Sequence, residues 1–409
     1  MDDFIKTVKP QKVYLDGLDK IISGTNIAFY YWYENKERKP WDAFMPAATL
    51  EQAFYNTLCE FPLFAGTLVT DSNGMIYVQV SKDNLNMPVY TDSACEVGFD
   101  TIRDAGFNTK LLGRDFDHAR DVPVPAKIFG SGKIKLAEIH VIRLQESRGR
   151  IIKALVSMSK RTICYFYISQ EKISRFCSDV RENATKGQRF STNDILTAVI
   201  ASLIVQSMRM VHIEAQAKPI PTIMRYIFGK KTEEQQEALV SVAVSLRPRV
   251  PQPDVLNYTG NMIIARLITV PLDLVVADPV PSALAKVSGY IRSAVNDTGA
   301  EYICQLGHLA NKKSESYMQI LLGLLGYKYN LITSNQALFN HYNVDFGMGI
   351  PVLVRPALLS FPNSVLIMPG RPDAGKGYEI AMTLTMDVAA KVMQNEHWMG
   401  LVDRCDYDV

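Results

Sequence analysis

The run ILTAVIASLIV, Ile195–Val205, is apolar around the whole circumference of a helix, so a helix here must be buried on every side. It falls short of the roughly 20 residues that span a bilayer, as does ILLGLLG at Ile320–Gly326, and both are expected as interior helices. Such a helix needs apolar sheets to lie against. TICYFYI (162–168), LVSVAVSL (239–246) and MIIARLITV (262–270) read as strands. Strands and helices in alternation predict an α/β fold. Ser191 or Thr192, just before Asp194, is placed to cap the long helix.

Upstream, ATLEQAFYNTLC (48–59) has helical spacing and runs into FPLFAGTLV, a turn with an apolar continuation. MIYVQV (75–80), LAEIHVIRL (136–144) and IIKALVSM (151–158) read as strands, the last two joined by the charged turn QESRGR. Residues 92–132 read as loop-rich and 215–238 as an insertion. DPVPSALAKV opens the first of two helices that run to about Tyr327, and a final helix is expected near Met386–Met399. At 409 residues the chain exceeds one ordinary core. The expected division is 1–160 and 161–409, with the segment after Asp345 returning to the first domain.

A net charge of +2 creates no field that would draw nucleic acid or an anionic membrane. The charged N-terminus MDDFIKTVKPQK lacks an apolar signal core. The six cysteines include no C-x-x-C pair, which fits reduced thiols in a cytoplasmic protein without structural zinc. GRPDAGKG (Gly370–Gly377) mimics a phosphate-binding loop, but ends in Gly where magnesium needs a hydroxyl. It also lies between two strand-like runs, so a hairpin turn is expected.

Four motifs agree in order: FPLFAGTLV (Phe61–Val69), FSTNDILTAVIAS (Phe190–Ser202), SLRPRVPQP with NYTGN (Ser245–Asn261), and DFGMG (Asp345–Gly349) with the strand-rich tail after it. Together they resemble the BAHD-type acyltransferases, and DFGMG for D-F-G-W-G is similar to the fungal members. The resemblance runs from LDGLDK (Leu15–Lys20) to about Leu384. It implies two chloramphenicol-acetyltransferase-like α/β sandwich domains with a channel between them. The implied activity moves an acyl group from acyl-CoA, a co-substrate with no resident cofactor or metal, to a hydroxyl or amine of a small acceptor. A monomer is implied as well. Asp345 is then structural, pinned to Arg247 by paired hydrogen bonds, with Phe346 beside it and Gly347 and Gly349 turning the loop. Thr333 and Ser334 fall on the family's channel-lining T-S pair, although Asn335 stands where a tryptophan usually follows. Asp194 falls near the coenzyme A side, with helix capping as the competing reading.

The chemistry requires a base that takes a proton from the acceptor, and the family supplies it as a histidine in H-x-x-x-D-G. The matching strand here ends at Met158, and Ser159–Arg161 leads straight into the strand that opens the second domain. The histidine, a helix and the crossover have no counterpart, so the first domain is shortened. His118 is followed by an acid one position too early, and His140 by Leu144. His341 has the right spacing to Asp345, but the scaffold motif already uses that aspartate. Lys160 stands in the vacant corner, where an ammonium is a poor base unless burial lowers its pKa. Three readings remain open: an enzyme whose base lies elsewhere, an inactive relative that binds coenzyme A or a small molecule, and a shortened transcript or gene model of an active enzyme.

Overall fold

A computed structural model describes residues 2–15, 28–40, 43–73, 75–112, 135–145, 161–217, 236–249, 262–305, 327–357, 359 and 361–408. In the N-terminal part, strands β1 (Gln11–Tyr14), β3 (Thr67–Thr70) and β4 (Ile76–Val80) form an antiparallel sheet in the order β1-β4-β3; β2 (Phe29–Trp32) lies outside it. The helix Ala47–Glu60 buries Leu50, Phe54 and Leu58, residues four apart on one face. It ends in the short turn Pro62–Ala65. Gly66, next in the chain, has no room for a side chain, because a Cβ there would lie 2.4 Å from Val78 Cγ1. The motif FPLFAGT therefore packs its turn directly on β4.

β5 (Val89–Gly98) and β6 (Glu138–Gln145) pair in parallel. The loop-rich expectation for 92–132 is corrected over its first part, since β5 runs to Gly98 and a helix follows at Phe99–Asp104. Within TDSACEVG only Cys95 and Gly98 are buried, so the polar outward residues hid the strand from its pattern. The expected strand 151–158, the motif NYTGN and the run ILLGLLG lie outside the described residues, as do His118, His308 and Lys160.

The remaining strands are β7 (Arg161–Ser169), β8 (Glu237–Ser245), β9 (Ile263–Pro271), β10 (Asn330–Asn335), β11 (Leu353–Pro356), β12 (Ser364–Pro369), β13 (Gly377–Thr385) and β14 (Arg404–Asp408). Seven of them form one mixed sheet in the order β14-β7-β13-β12-β10-β8-β9. Its main core is shared with the helices Gln170–Glu182, Thr192–Ala217, Pro281–Asn296 and Met386–Met393. Alternation decides which residue faces where. Cys164, Phe166 and Ile168 of β7 join that core, whereas Ile163 and Tyr165 enter a second cluster with Val354, Leu366 and Phe29 on the opposite face. Both faces are covered, which is why TICYFYI reads as an unbroken apolar run.

That second face is covered by β11 and β2, an antiparallel pair that matches Leu353 with Trp32 and Pro356 with Phe29. Of the segment after Asp345, β11 thus joins N-terminal residues, while β12 and β13 stay in the seven-stranded sheet. The long helix is apolar and long enough over Thr192–Glu214 to cross a membrane, but 67% of its most apolar window is buried inside the protein. GRPDAGKG is the turn of the β12–β13 hairpin, closed by Gly370 N–H donating to the Gly377 carbonyl at 2.9 Å. The expected terminal helix is two helices, Met386–Met393 and Glu396–Leu401, broken where the Asn395 side chain caps the second by accepting from Trp398 N–H.

Candidate functional site

β10 leads into the segment that carries the sequence's principal motif. The Asp345 Oδ1 accepts hydrogen bonds from the backbone N–H groups of Gly347 (2.7 Å), Met348 (3.0 Å) and Gly349 (2.9 Å). One carboxylate oxygen thus closes the loop on itself. Gly347 and Gly349 sit at φ +86° and +99°, in the region that glycine adopts without strain. A Cβ at either would meet nothing within 4 Å, so the requirement is backbone conformation, not space. Phe346 is 46% exposed and sits edge-on to Tyr33, whose hydroxyl donates to the Val344 carbonyl at 3.0 Å. The partners of Asp345 Oδ1 are the loop's own N–H groups, where the resemblance implied a pin to Arg247.

His341 lies four residues before Asp345 and is 8% exposed. Its Nε2 is 3.0 Å from Gln336 Oε1 and its Nδ1 is 3.2 Å from the Tyr31 hydroxyl. With the glutamine oxygen accepting, Nε2 carries the proton and Nδ1 accepts from Tyr31. Burial lowers the His341 pKa, because the charged ring loses its hydration. Phe29 and Phe339 pack on it with ring centres at 5.0 and 5.8 Å. A ring with both nitrogens engaged and aromatic walls is a strut between β2 and the motif loop.

Thr333 and Ser334 point to opposite faces of β10, as neighbours on a strand must. Thr333 is buried toward the helical layer and donates to the Ser241 carbonyl at 3.2 Å. Ser334 pairs with Leu366 and shares the face that β2 and β11 cover. Asn335, at the position of the missing tryptophan, donates to Asn193 Oδ1 at 2.7 Å and accepts from Ala337 N–H. Asp194 is 1% exposed. Its carboxylate accepts from Ser191 N–H at 2.7 Å while Ser191 Oγ accepts from Asp194 N–H at 3.2 Å, a reciprocal cap on the long helix. Arg292 binds the same carboxylate. Capping, the competing reading, is what the geometry of Asp194 shows.

A cavity of about 2010 Å³ lies in the N-terminal part. Its walls include Leu50, Ala53, Phe54 and Thr57 from one face of the Ala47–Glu60 helix, together with consecutive residues 28–35 and 135–144. Alternate residues of a strand point to opposite faces, so unbroken runs of lining residues mark strand edges. Among the described residues, β2 pairs with β11 and β6 with β5.

Sequence reasoning missed a second histidine site in that wall. His140 Nδ1 is 2.7 Å from Thr91 Oγ1, across the β5–β6 pairing that sets those two residues side by side. His140 Nε2 is 3.3 Å from Glu138 Oε2. The search for an acid four residues later found Leu144, but on a strand the same-face neighbour is two residues away. The spacing E-I-H carried that signal. Among the described residues no group of three His, Cys, Asp or Glu side chains could hold a metal ion.

Residues 227–398 match the Transferase family. In fold, the chain is similar to solved structures over almost its whole length. The structure of F. graminearum TRI101 complexed with ethyl coenzyme A aligns with a TM-score of 0.65 at 12% identity, covering 98% of this chain and 100% of that one. F. sporotrichioides TRI101 complexed with coenzyme A and T-2 aligns at 0.65 and 14% identity over 96% and 99%. Vinorine synthase aligns at 0.60 and 14% identity over 97% and 95%. Curated protein sequences include no match. The resemblance to BAHD-type acyltransferases and the α/β fold expected from it are borne out.

Proposed function

We propose that this chain has the scaffold of an acyltransferase that moves an acyl group from acyl-CoA to a hydroxyl or amine of a small molecule, shortened so that the usual histidine base is missing. Solved relatives of the same fold were captured with coenzyme A and with T-2 mycotoxin or deoxynivalenol, which supports the donor and the kind of acceptor. The observation that carries the shortening is the brevity of the connection from β6 to β7. Only residues 146–160 separate β6 from β7, too few for a further strand, a helix and a crossover together. His341 does not fill the role, because a base needs an accessible lone pair and His341 Nδ1 is occupied by Tyr31.

The test begins with sequencing the source transcript across the codons for Met158–Arg161. An additional segment carrying H-x-x-x-D-G is expected there. Restoring it should raise thiol release from acetyl-CoA, with a small hydroxylated acceptor present, by about 10²–10⁴-fold. An uninterrupted junction, combined with rapid turnover by the chain as it stands, would refute the shortening.

A further inference from the structure

We propose that β14 is a latch. Docked on β7, it holds the layer of β11, β2 and the motif loop against the seven-stranded sheet, and its release loosens the cavity walls that this layer supplies. The latch stands apart from the acyl-CoA reading and does not depend on it.

Strand register aims the latch. Antiparallel pairing of β14 with β7 sets Asp406 beside Tyr165 and Arg404 beside Tyr167. Paired residues share a face, and Tyr165 faces the cluster that contains Val354 of β11 and Phe29 of β2. Asp406 Oδ2 therefore accepts from Arg355 Nη2 of β11 at 2.5 Å, while Arg404 Nη2 holds the same oxygen at 3.0 Å. The N-terminal part meets the strand as well. A Cβ on Gly106 would lie 3.3 Å from Asp406 Cγ, and the Gly106 carbonyl accepts from Arg355 Nη1 at 2.6 Å. At the root of the strand, Asp403 accepts from Ser169 N–H at 2.7 Å and pairs with Lys172 at 3.0 Å.

From β11 the connection runs on to the cavity. β11 pairs with β2. The Tyr31 hydroxyl of β2 is 3.2 Å from His341 Nδ1, and the Tyr33 hydroxyl, one residue past the strand, donates to the Val344 carbonyl at 3.0 Å. Residues 28–35, Val344 and Phe346 are walls of the cavity of about 2010 Å³. Each link is a strand pairing or a hydrogen bond, so the position of β14 is felt at those walls.

Burial decides which link opens first. The side chains of Arg355 and Glu379 are each 2% exposed, whereas Asp406 is 20% exposed and Arg404 38%. Water therefore reaches the Asp406 arm. When that arm lets go, Arg355 keeps Glu379 and the Gly106 carbonyl, and Asp406 keeps Arg404. No buried charge is stranded, so this opening lies below global unfolding.

Hydrogen exchange read by mass spectrometry on the full chain tests the latch. In rising sub-denaturing urea, the amides of Phe29–Trp32, Leu353–Pro356 and Arg404–Asp408 should exchange through one shared opening, before those of Ile195–Val205. Asp406→Ala should speed exchange in all three strands at least about tenfold, the loss expected for a hydrogen bond to a charged group, and leave Ile195–Val205 unchanged. Arg404→Gln, which spares the Arg355 bond, should give a smaller rise in the same three strands. A rise confined to β14, a uniform rise along the chain, or no rise overturns the latch. Should Asp406→Ala fail to fold, the urea series on the unaltered chain decides, and separate openings of β14 and the β2–β11 pair refute the coupling.

Discussion

Replacing Arg355 with Met should strongly destabilise the seven-stranded sheet, because it removes the charge that a buried carboxylate depends on. Arg355 on β11 is 2% exposed. It donates from Nε to Glu379 Oε1 (2.6 Å), from Nη1 to the Gly106 carbonyl (2.6 Å) and from Nη2 to Asp406 Oδ2 (2.5 Å), and it lies 4.1 Å over the Tyr165 ring. One guanidinium thus ties β11, β13, β14 and the turn after Asp104. Asp406 keeps Arg404 at 3.0 Å if Arg355 is lost, but Glu379 is 2% exposed and its Oε2 already has no partner. The variant strands a buried carboxylate, a change that costs about 3–5 kcal/mol. An unfolding entropy of about 2.1 cal/mol/K per residue over a unit of roughly 200–400 residues turns this into a fall in Tm of about 4–12 °C. Removing the charge as well, in Arg355→Met/Glu379→Gln, should recover at least about half of the loss. Thermal melts by circular dichroism at neutral pH measure both variants. A fall under about 2 °C for the single variant, or a double variant no better than the single, would refute the reasoning.

Two further outcomes follow from the same geometry. Gly66→Ala forces a methyl to within 2.4 Å of Val78 Cγ1 and should cost about 1–3 kcal/mol in urea unfolding, with Val78→Ala restoring most of it. Burial lowers the His341 pKa in the folded state, so below the ordinary imidazole value of about 6.5 the unfolded chain binds the extra proton. His341 should therefore contribute stability that is full above about pH 6.5 and is lost as pH falls through its depressed folded value. His341→Gln should flatten the melting temperature against pH over that acid limb and leave any thiol release from acetyl-CoA unchanged, whereas lost turnover in a folded variant would make His341 the base.

Much of the fold was legible because burial on both faces leaves a plain mark. TICYFYI and ILTAVIASLIV have no polar face to disguise them, and both took the predicted form. β5 was not legible, since a half-exposed strand reading TDSACEVG resembles a loop until its partner is known. The two glycines as a turn followed from residue type and the structural role of Asp345 from the family resemblance, but the carboxylate's local partners did not. They are three backbone N–H groups of the same loop, brought to one oxygen by the turn itself. Likewise Ser191 and Asp194 had the spacing of a cap, while Arg292, far along the chain, became a partner only through folding.

By itself the sequence determined the α/β class and the order of the motifs. These depend on residue type and short-range spacing, which the chain states directly. The tertiary structure alone decided that His341 is enclosed by aromatic rings, that Thr333 and Ser334 part to opposite faces, and that His140 meets a hydroxyl and a carboxylate in a cavity wall. Each of those depends on strand pairing across dozens to hundreds of residues, and register between distant strands is set by how whole faces pack, a property that no local pattern encodes.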